Sequence, residues 1–183
     1  MEDIMVSIPE IPNEYLQEIG FLAIETAWID RAIVDFIARL AFDDEDHKVK
    51  TKKAECLVGG EPSGELLSKL NKLFTVLIDD ADLGKEFKEI IKLIDEVHTD
   101  RSNYMHSCLN YSGGWQNVPP EVRGFKIQRD MNKNTKEMRK LVVAILPDLT
   151  KAASKARNTH NVLMMFTWKV HKYLKTKNPA KSN

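Results

Sequence analysis

The sequence predicts an all-α fold, a mostly up-and-down bundle of four to five helices with a long loop or small hairpin before the fourth. Three observations carry this. Apolar residues recur at three- and four-residue spacing over long stretches. The interruptions between those stretches are short and made of acids or glycines. Glycine, proline and aromatic residues gather in one connection, residues 108–129. The chain then divides into a lead-in over 1–12, marked by Pro9 and Pro12, a helical domain over 13–175 and a basic tail over 176–183.

The first helix is expected over 13–42, where Leu16, Ile19, Ala23, Ala27, Val34, Ile37 and Ala41 form one stripe and Ile24, Trp28 and Ile33 widen it. A helix apolar over so wide an arc meets more than one neighbour: other helices of its own bundle, or a second subunit. Asp43-Asp44-Glu45-Asp46 ends it. Residues 47–56 are lysine-rich and read as a loop or a short exposed helix. Gly59-Gly60-Glu61-Pro62-Ser63-Gly64 breaks the chain without the spacing of a phosphate loop, and Ser63 is placed to cap the next helix. That second helix runs to about residue 78 on Leu66, Leu67, Leu70, Leu73, Phe74 and Leu77. Asp79-Asp80-Ala81-Asp82 turns the chain, and a third helix follows over 83–105 with Phe87, Ile90, Ile91, Ile94 and Val97 in phase. Within 108–129 a small hairpin would pair 108–111 with 125–129. A fourth helix is expected from about Thr135, on Met138, Leu141, Val142, Ile145, Leu149, Ala152, Ala153 and Ala156. Pro147 would kink or break it. Arg157-Asn158-Thr159-His160 would separate a last helix over 161–174.

Composition narrows the function classes. The longest apolar runs, 141–146 and 162–166, are too short to span a bilayer, so no membrane partner is expected. The acidic start Met1-Glu2-Asp3-Ile4 lacks the pattern of a secretory signal. Cys56 and Cys108 are isolated, which fits a reducing, cytoplasmic setting without disulfides. The five histidines lack metal-ligand spacing and no cysteine joins them, so no metal and no cofactor is expected. The formal net charge of zero hides an asymmetry: residues 1–100 sum to −12 and residues 101–183 to +12. Either the basic half contacts nucleic acid or the two halves neutralise each other.

The third helix ends in Asp95-Glu96-Val97-His98-Thr99-Asp100-Arg101-Ser102-Asn103-Tyr104-Met105-His106-Ser107. An arginine is followed five residues later by a histidine, where a helix is ending. Arginine stays charged and offers a planar fork to phosphate oxygens. Histidine takes and returns protons near neutral pH. Five residues of ideal helix leave the two side chains about 140° apart. They converge only if the helix ends or distorts before His106, or if the site is composite. The structural alternatives are a salt bridge from Arg101 to Asp100 or Glu25, and a helix-end role for His106. His98, one turn earlier, could join the site.

This arrangement resembles the HEPN family over roughly residues 13–156: a long first helix containing Gly20-Phe21-Leu22-Ala23-Ile24-Glu25, two further helices, and Arg-x4-His closing the last. HEPN domains are small all-α domains, many of them metal-independent ribonucleases acting as toxins or anti-phage effectors. The family usually has Asn, Asp or His directly after the arginine; here Ser102 stands there and Asn103 follows. The resemblance implies a homodimer whose two Arg/His pairs meet at the interface, with Arg101, His106, Asn103 and Ser102 catalytic and RNA as substrate. An antitoxin or regulator would be a further partner. Arg123, Lys126 and Arg129 are candidates for phosphate contact, together with Arg157, Lys169, Lys172 and Lys175. Trp115, in the loop after His106, is a candidate for stacking on a base. The other expectations are a HEPN-like binding module without catalysis and a helical protein-interaction domain.

Overall fold

The computed structural model describes residues 11–42, 46–105, 108–112, 121–129 and 137–177, the strands by their backbone. Among these lie α1 (Asn13–Ala41), α2 (His47–Val58), α3 (Ser63–Leu77), α4 (Ala81–Met105), β1 (Cys108–Ser112), β2 (Glu121–Arg129), β3 (Glu137–Ala144) and α5 (Leu146–Lys177). The helical bundle expected from the sequence is present, and a three-stranded antiparallel sheet stands between α4 and α5 in the chain.

Caps and turns set the helix ends. Asp46 accepts from the Lys48 backbone N–H at 2.9 Å and opens α2. The backbone N–H of Gly59 donates to the Glu55 carbonyl and closes it. A Cβ on Gly59 would lie 2.3 Å from that oxygen, so only glycine fits. Gly60 follows at φ +81°, in the left-handed region glycine adopts without strain. Residues 47–58 are thus a full helix; Lys50, Thr51, Ala54 and Val58 face inward, and its lysines hid that face in the sequence. Ser63 is not the cap of α3. Pro62 holds that position, and the Ser63 hydroxyl donates instead to Asp30 Oδ2 at 3.1 Å. Asp80 accepts from the Leu83 N–H at 2.9 Å and starts α4.

The chain divides into two units, residues 1–23 with 99–154, and residues 24–98 with 155–183. In the second, four phenylalanines from four helices make the core. Phe74 of α3 stacks on Phe87 of α4 with centroids 3.9 Å apart, and Phe166 of α5 lies 5.9 Å from Phe87. Phe36 of α1 meets all three edge-on at 6.0–6.4 Å. All four rings are at most 3% exposed. Helix directions follow from the contacts. Along α1, Arg31 pairs with Glu55 and Asp35 accepts from Thr51, so α2 runs opposite to α1. Asp30 meets Ser63 and Phe36 meets Phe74, so α3 runs with it. Asp30 meets His98 and Phe36 meets Phe87, so α4 runs against it. Glu25 meets Arg157 and Phe36 meets Phe166, so α5 runs with it again. The alternation is up-and-down.

In the first unit Tyr15 of α1 and Leu149 of α5 form a small buried cluster against which Ile11, Ile19, Tyr104 and Leu146 pack. The sheet order is β1-β2-β3. β1 pairs with β2 from Cys108↔Phe125 to Ser112↔Glu121, and β2 pairs with β3 from Val122↔Ala144 to Arg129↔Glu137. The expected hairpin is therefore shifted: β1 takes residues 121–125 as its partner, and residues 126–129 pair with β3 instead.

The second half of the chain departs from expectation in three places. Residues 137–144, expected to open the fourth helix, are β3. Their apolar spacing fits either state, but Val142 and Val143 are β-branched and β2 offers a free ladder to pair with. Pro147 neither kinks nor breaks a helix. It sits in the first turn of α5, where its missing N–H has no partner to lose. Residues 157–160 do not separate two helices either, since α5 is continuous through them. Arg157 binds Glu25, Thr159 is buried and His160 stacks with Trp28 at 6.3 Å, so three residues of this polar run make contacts with the rest of the helical unit.

Candidate functional site

Helix α4 carries the arginine of the motif. Its apolar positions Leu83, Phe87, Ile90, Ile94 and Val97 are buried at helical spacing, and this fixes the helix up to its last turns. Arg101 follows, half-buried. Its Nε is buried and has no hydrogen-bond partner among the described residues. Glu25, one sequence candidate for pairing with it, is held by Arg157, whose Nε donates to Glu25 Oε1 at 2.8 Å. Ser102 and Asn103 lie on the same turn as Arg101; both are half-buried and both are engaged in contacts. α4 ends at Met105. His106 and Trp115 lie outside the described residues.

Tyr104, on the same turn, packs against the Tyr15–Leu149 cluster. Burial pushes its phenol above the ordinary range, and the carboxylates of Asp100 and Asp148 add to the shift. It therefore stays a neutral hydroxyl at neutral pH.

The other candidates fall on separate elements. Arg123, Lys126 and Arg129 are positions of β2: Arg123 is in register with Asn110 and Val143, Lys126 with Lys140, and Arg129 with Glu137. The basic residues of α5 divide. Arg157 and Lys169 are paired, with Glu25 and Glu86, while Lys172 and Lys175 are exposed. Lys155 joins the paired set: its Nζ lies 2.8 Å from Glu96 Oε2 and holds that carboxyl below its usual range by a direct hydrogen bond and by charge. Between the described helices, then, part of the charge asymmetry is neutralised by pairs of basic α5 residues with acidic partners on α1 and α4.

One arrangement was not legible in the sequence. His98 Nε2 stands 3.1 Å from Asp30 Oδ1, an ion-pair distance without hydrogen-bond geometry, and Asp30 Oδ2 accepts from Ser63. Three helices meet at this carboxylate. An imidazole and a hydroxyl on opposite oxygens of one carboxylate fix their helices against one another. They do not form a nucleophile–base pair, because the acid stands between them. No spacing rule links positions 30, 63 and 98, so sequence carries no signal for it.

Near the end of α1 a cleft of about 540 Å³ opens between Phe42 and the α2 residues Val49, Lys52, Lys53, Cys56 and Leu57. None of the sequence candidates lines it. Among the described residues no three His, Cys, Asp or Glu side chains gather as a metal site, and no helix is long and apolar enough to cross a membrane. Comparison with protein-family models, with curated proteins and with solved structures returns no match.

Proposed function

We propose that this chain is a HEPN-like, metal-independent endoribonuclease acting on RNA as a homodimer, a toxin or anti-phage effector under the control of an antitoxin or regulator. The observation that carries the reading is Arg101: a guanidinium whose buried Nε has no hydrogen-bond partner among the described residues, on the last described turns of α4. An unsatisfied buried donor is costly, and a functional group waiting for an anion is a physical reason to keep one.

In this mechanism His106 takes the proton of a ribose 2′-OH, and the oxygen attacks the adjacent phosphorus. Arg101 binds the non-bridging oxygens as charge builds on them. The 5′-oxygen leaves and takes a proton from the imidazolium of the second copy. The products are a 2′,3′-cyclic phosphate and a 5′-hydroxyl. Ser102 and Asn103 orient the phosphate or the imidazole. Arg123, Lys126, Arg129, Lys172 and Lys175 hold the RNA backbone, and Trp115 stacks on a base.

The test is end-group analysis of labelled RNA incubated in EDTA. Wild type should leave cyclic-phosphate ends. His106→Ala and Arg101→Ala should each lower the rate by at least about a hundredfold, in line with the loss of a general base or an oxyanion donor. Arg101→Lys should rescue poorly, because an ammonium lacks the fork. RNA left intact by the wild type under all conditions would overturn the enzyme reading. His106→Ala cleaving as fast as wild type would overturn the site assignment. The second reading, a helical protein-interaction domain, draws on the exposed apolar side chains of α1 and α5.

A further inference from the structure

Helix α2 has two faces. Lys50, Thr51, Ala54 and Val58 face inward and hold it to the rest of its unit. Val49, Lys52, Lys53, Cys56 and Leu57, at three- and four-residue spacing, make the opposite and exposed face. Val49 is 48% and Leu57 63% exposed, although the packing of α2 needs neither. Phe42, directly after α1, closes one side, and the face becomes a cleft of about 540 Å³ with almost wholly apolar walls. Lys53 extends over Phe42, its Nζ 5.7 Å from the ring centre. Lys52 is exposed and has no acid partner among the described residues. A lysine in such a place lays its stem along the wall and keeps its ammonium in water.

We propose that this cleft binds a single-chain amphiphilic carboxylate, a fatty-acid-like molecule whose alkyl chain lies along α2 and whose head group meets Lys52 and Lys53. The inference goes beyond the functional reading above and does not depend on RNA cleavage. Size selects a small molecule. The volume lies within the ~300–1,000 Å³ of small-molecule sites. Val49 and Leu57 are the exposed large apolar residues of α2, far short of the roughly 20 residues a side that a protein interface engages. From Val49 to Leu57 the helix rises about 12 Å, the reach of a medium-length alkyl chain.

Charge selects the head group. α2 carries four lysines and one acid. That acid, Glu55, pairs with Arg31, and Asp46 is engaged in capping the helix at Lys48. Among the described residues, then, the charge presented at this cleft is positive. A second copy docking here would set lysines against lysines, which is destabilising. A phosphate backbone would use the ammonium groups and leave the apolar floor wet. A neutral apolar molecule would fill the floor and leave the ammonium groups unused. A carboxylate on an alkyl chain answers both features. Burial of the chain supplies affinity, and charge-assisted hydrogen bonds from the Nζ groups fix the head.

The experiment is calorimetric titration of the full chain with decanoate, decanol and decylamine, each at concentrations where it is monomeric. Wild type, Lys52→Glu and Leu57→Ser are compared. Both positions are exposed, so circular dichroism of the variants should match wild type. Decanoate should bind wild type most tightly and decanol at least about tenfold more weakly, the loss of a charge-assisted contact. Decylamine should not bind. Lys52→Glu should weaken decanoate by at least about tenfold and leave decanol unchanged, whereas Leu57→Ser should weaken both. Decanoate should also slow the alkylation of Cys56 by N-ethylmaleimide, followed by peptide mass mapping, because Cys56 lines the cleft. A wild type that binds no decanoate, or takes decylamine as tightly, overturns the proposal. So does decanoate binding that neither variant weakens, or that leaves Cys56 alkylation unchanged. Retention on anionic lipid vesicles without decanoate binding overturns it too, in favour of a membrane surface.

Discussion

Gly59 and Tyr104 show how single residues set the limits of this fold. At Gly59 the chain leaves α2 with its backbone against the Glu55 carbonyl, and a methyl group there would lie 2.3 Å from that oxygen. Gly59→Ala should therefore cost about 1–3 kcal/mol through backbone displacement, read as a lower urea midpoint with an unchanged m-value. Tyr104 sets an alkaline limit. Its phenol is raised above the ordinary tyrosine value of 10.0, by burial first and then by Asp100 and Asp148. The unfolded chain therefore loses this proton at lower pH than the folded one. The stability linked to Tyr104 is fully present below about pH 10 and is lost as pH rises through the folded value. Melting temperatures measured from about pH 9 to pH 11.5 should fall more steeply for wild type than for Tyr104→Phe; parallel curves would show that Tyr104 does not carry the linkage. At this scale the sequence made the residue types of the candidate site legible. It could not show that the Arg101 Nε is buried without a hydrogen-bond partner among the described residues, nor that Glu25, one candidate to pair with it, is taken by Arg157, 132 positions away.

The elements divide according to how local their determinants are. α1, α3 and α4 were legible because each carries an apolar stripe at helical spacing and is bounded on at least one side by acids or glycines. α5 was not. Its polar run at 157–160 looks like a break until Glu25 and Trp28 are placed beside it, and its proline looks like an interior kink until β3 claims the residues before it. The assignment of Pro147 has a direct test. Removing an interior proline should stabilise a helix by about 3 kcal/mol, whereas replacing a first-turn proline loses only the restriction it places on the unfolded chain. Pro147→Ala should thus change stability by less than about 1 kcal/mol, on the destabilising side. A gain near 3 kcal/mol in denaturant unfolding would place the start of the helix upstream of residue 147.

For the whole molecule, the four-ring core is the main source of cooperativity in the second unit. Each ring comes from a different helix, so losing one loosens the contacts of the other three. Phe166→Ala should cost about 3–5 kcal/mol and Phe166→Leu clearly less, with melting followed by circular dichroism as the measurement. Similar losses for the two variants would mean that the packing of the ring itself, and not side-chain volume, carries the contribution. The order of the rings along the chain has a consequence for biosynthesis. Phe36, Phe74 and Phe87 leave the ribosome first, and the whole sheet segment is made before Phe166 appears. Until then the nascent chain holds three rings with one side uncovered. During that interval it is a natural client for a chaperone, and a separately supplied α5 peptide should be able to complete it in trans.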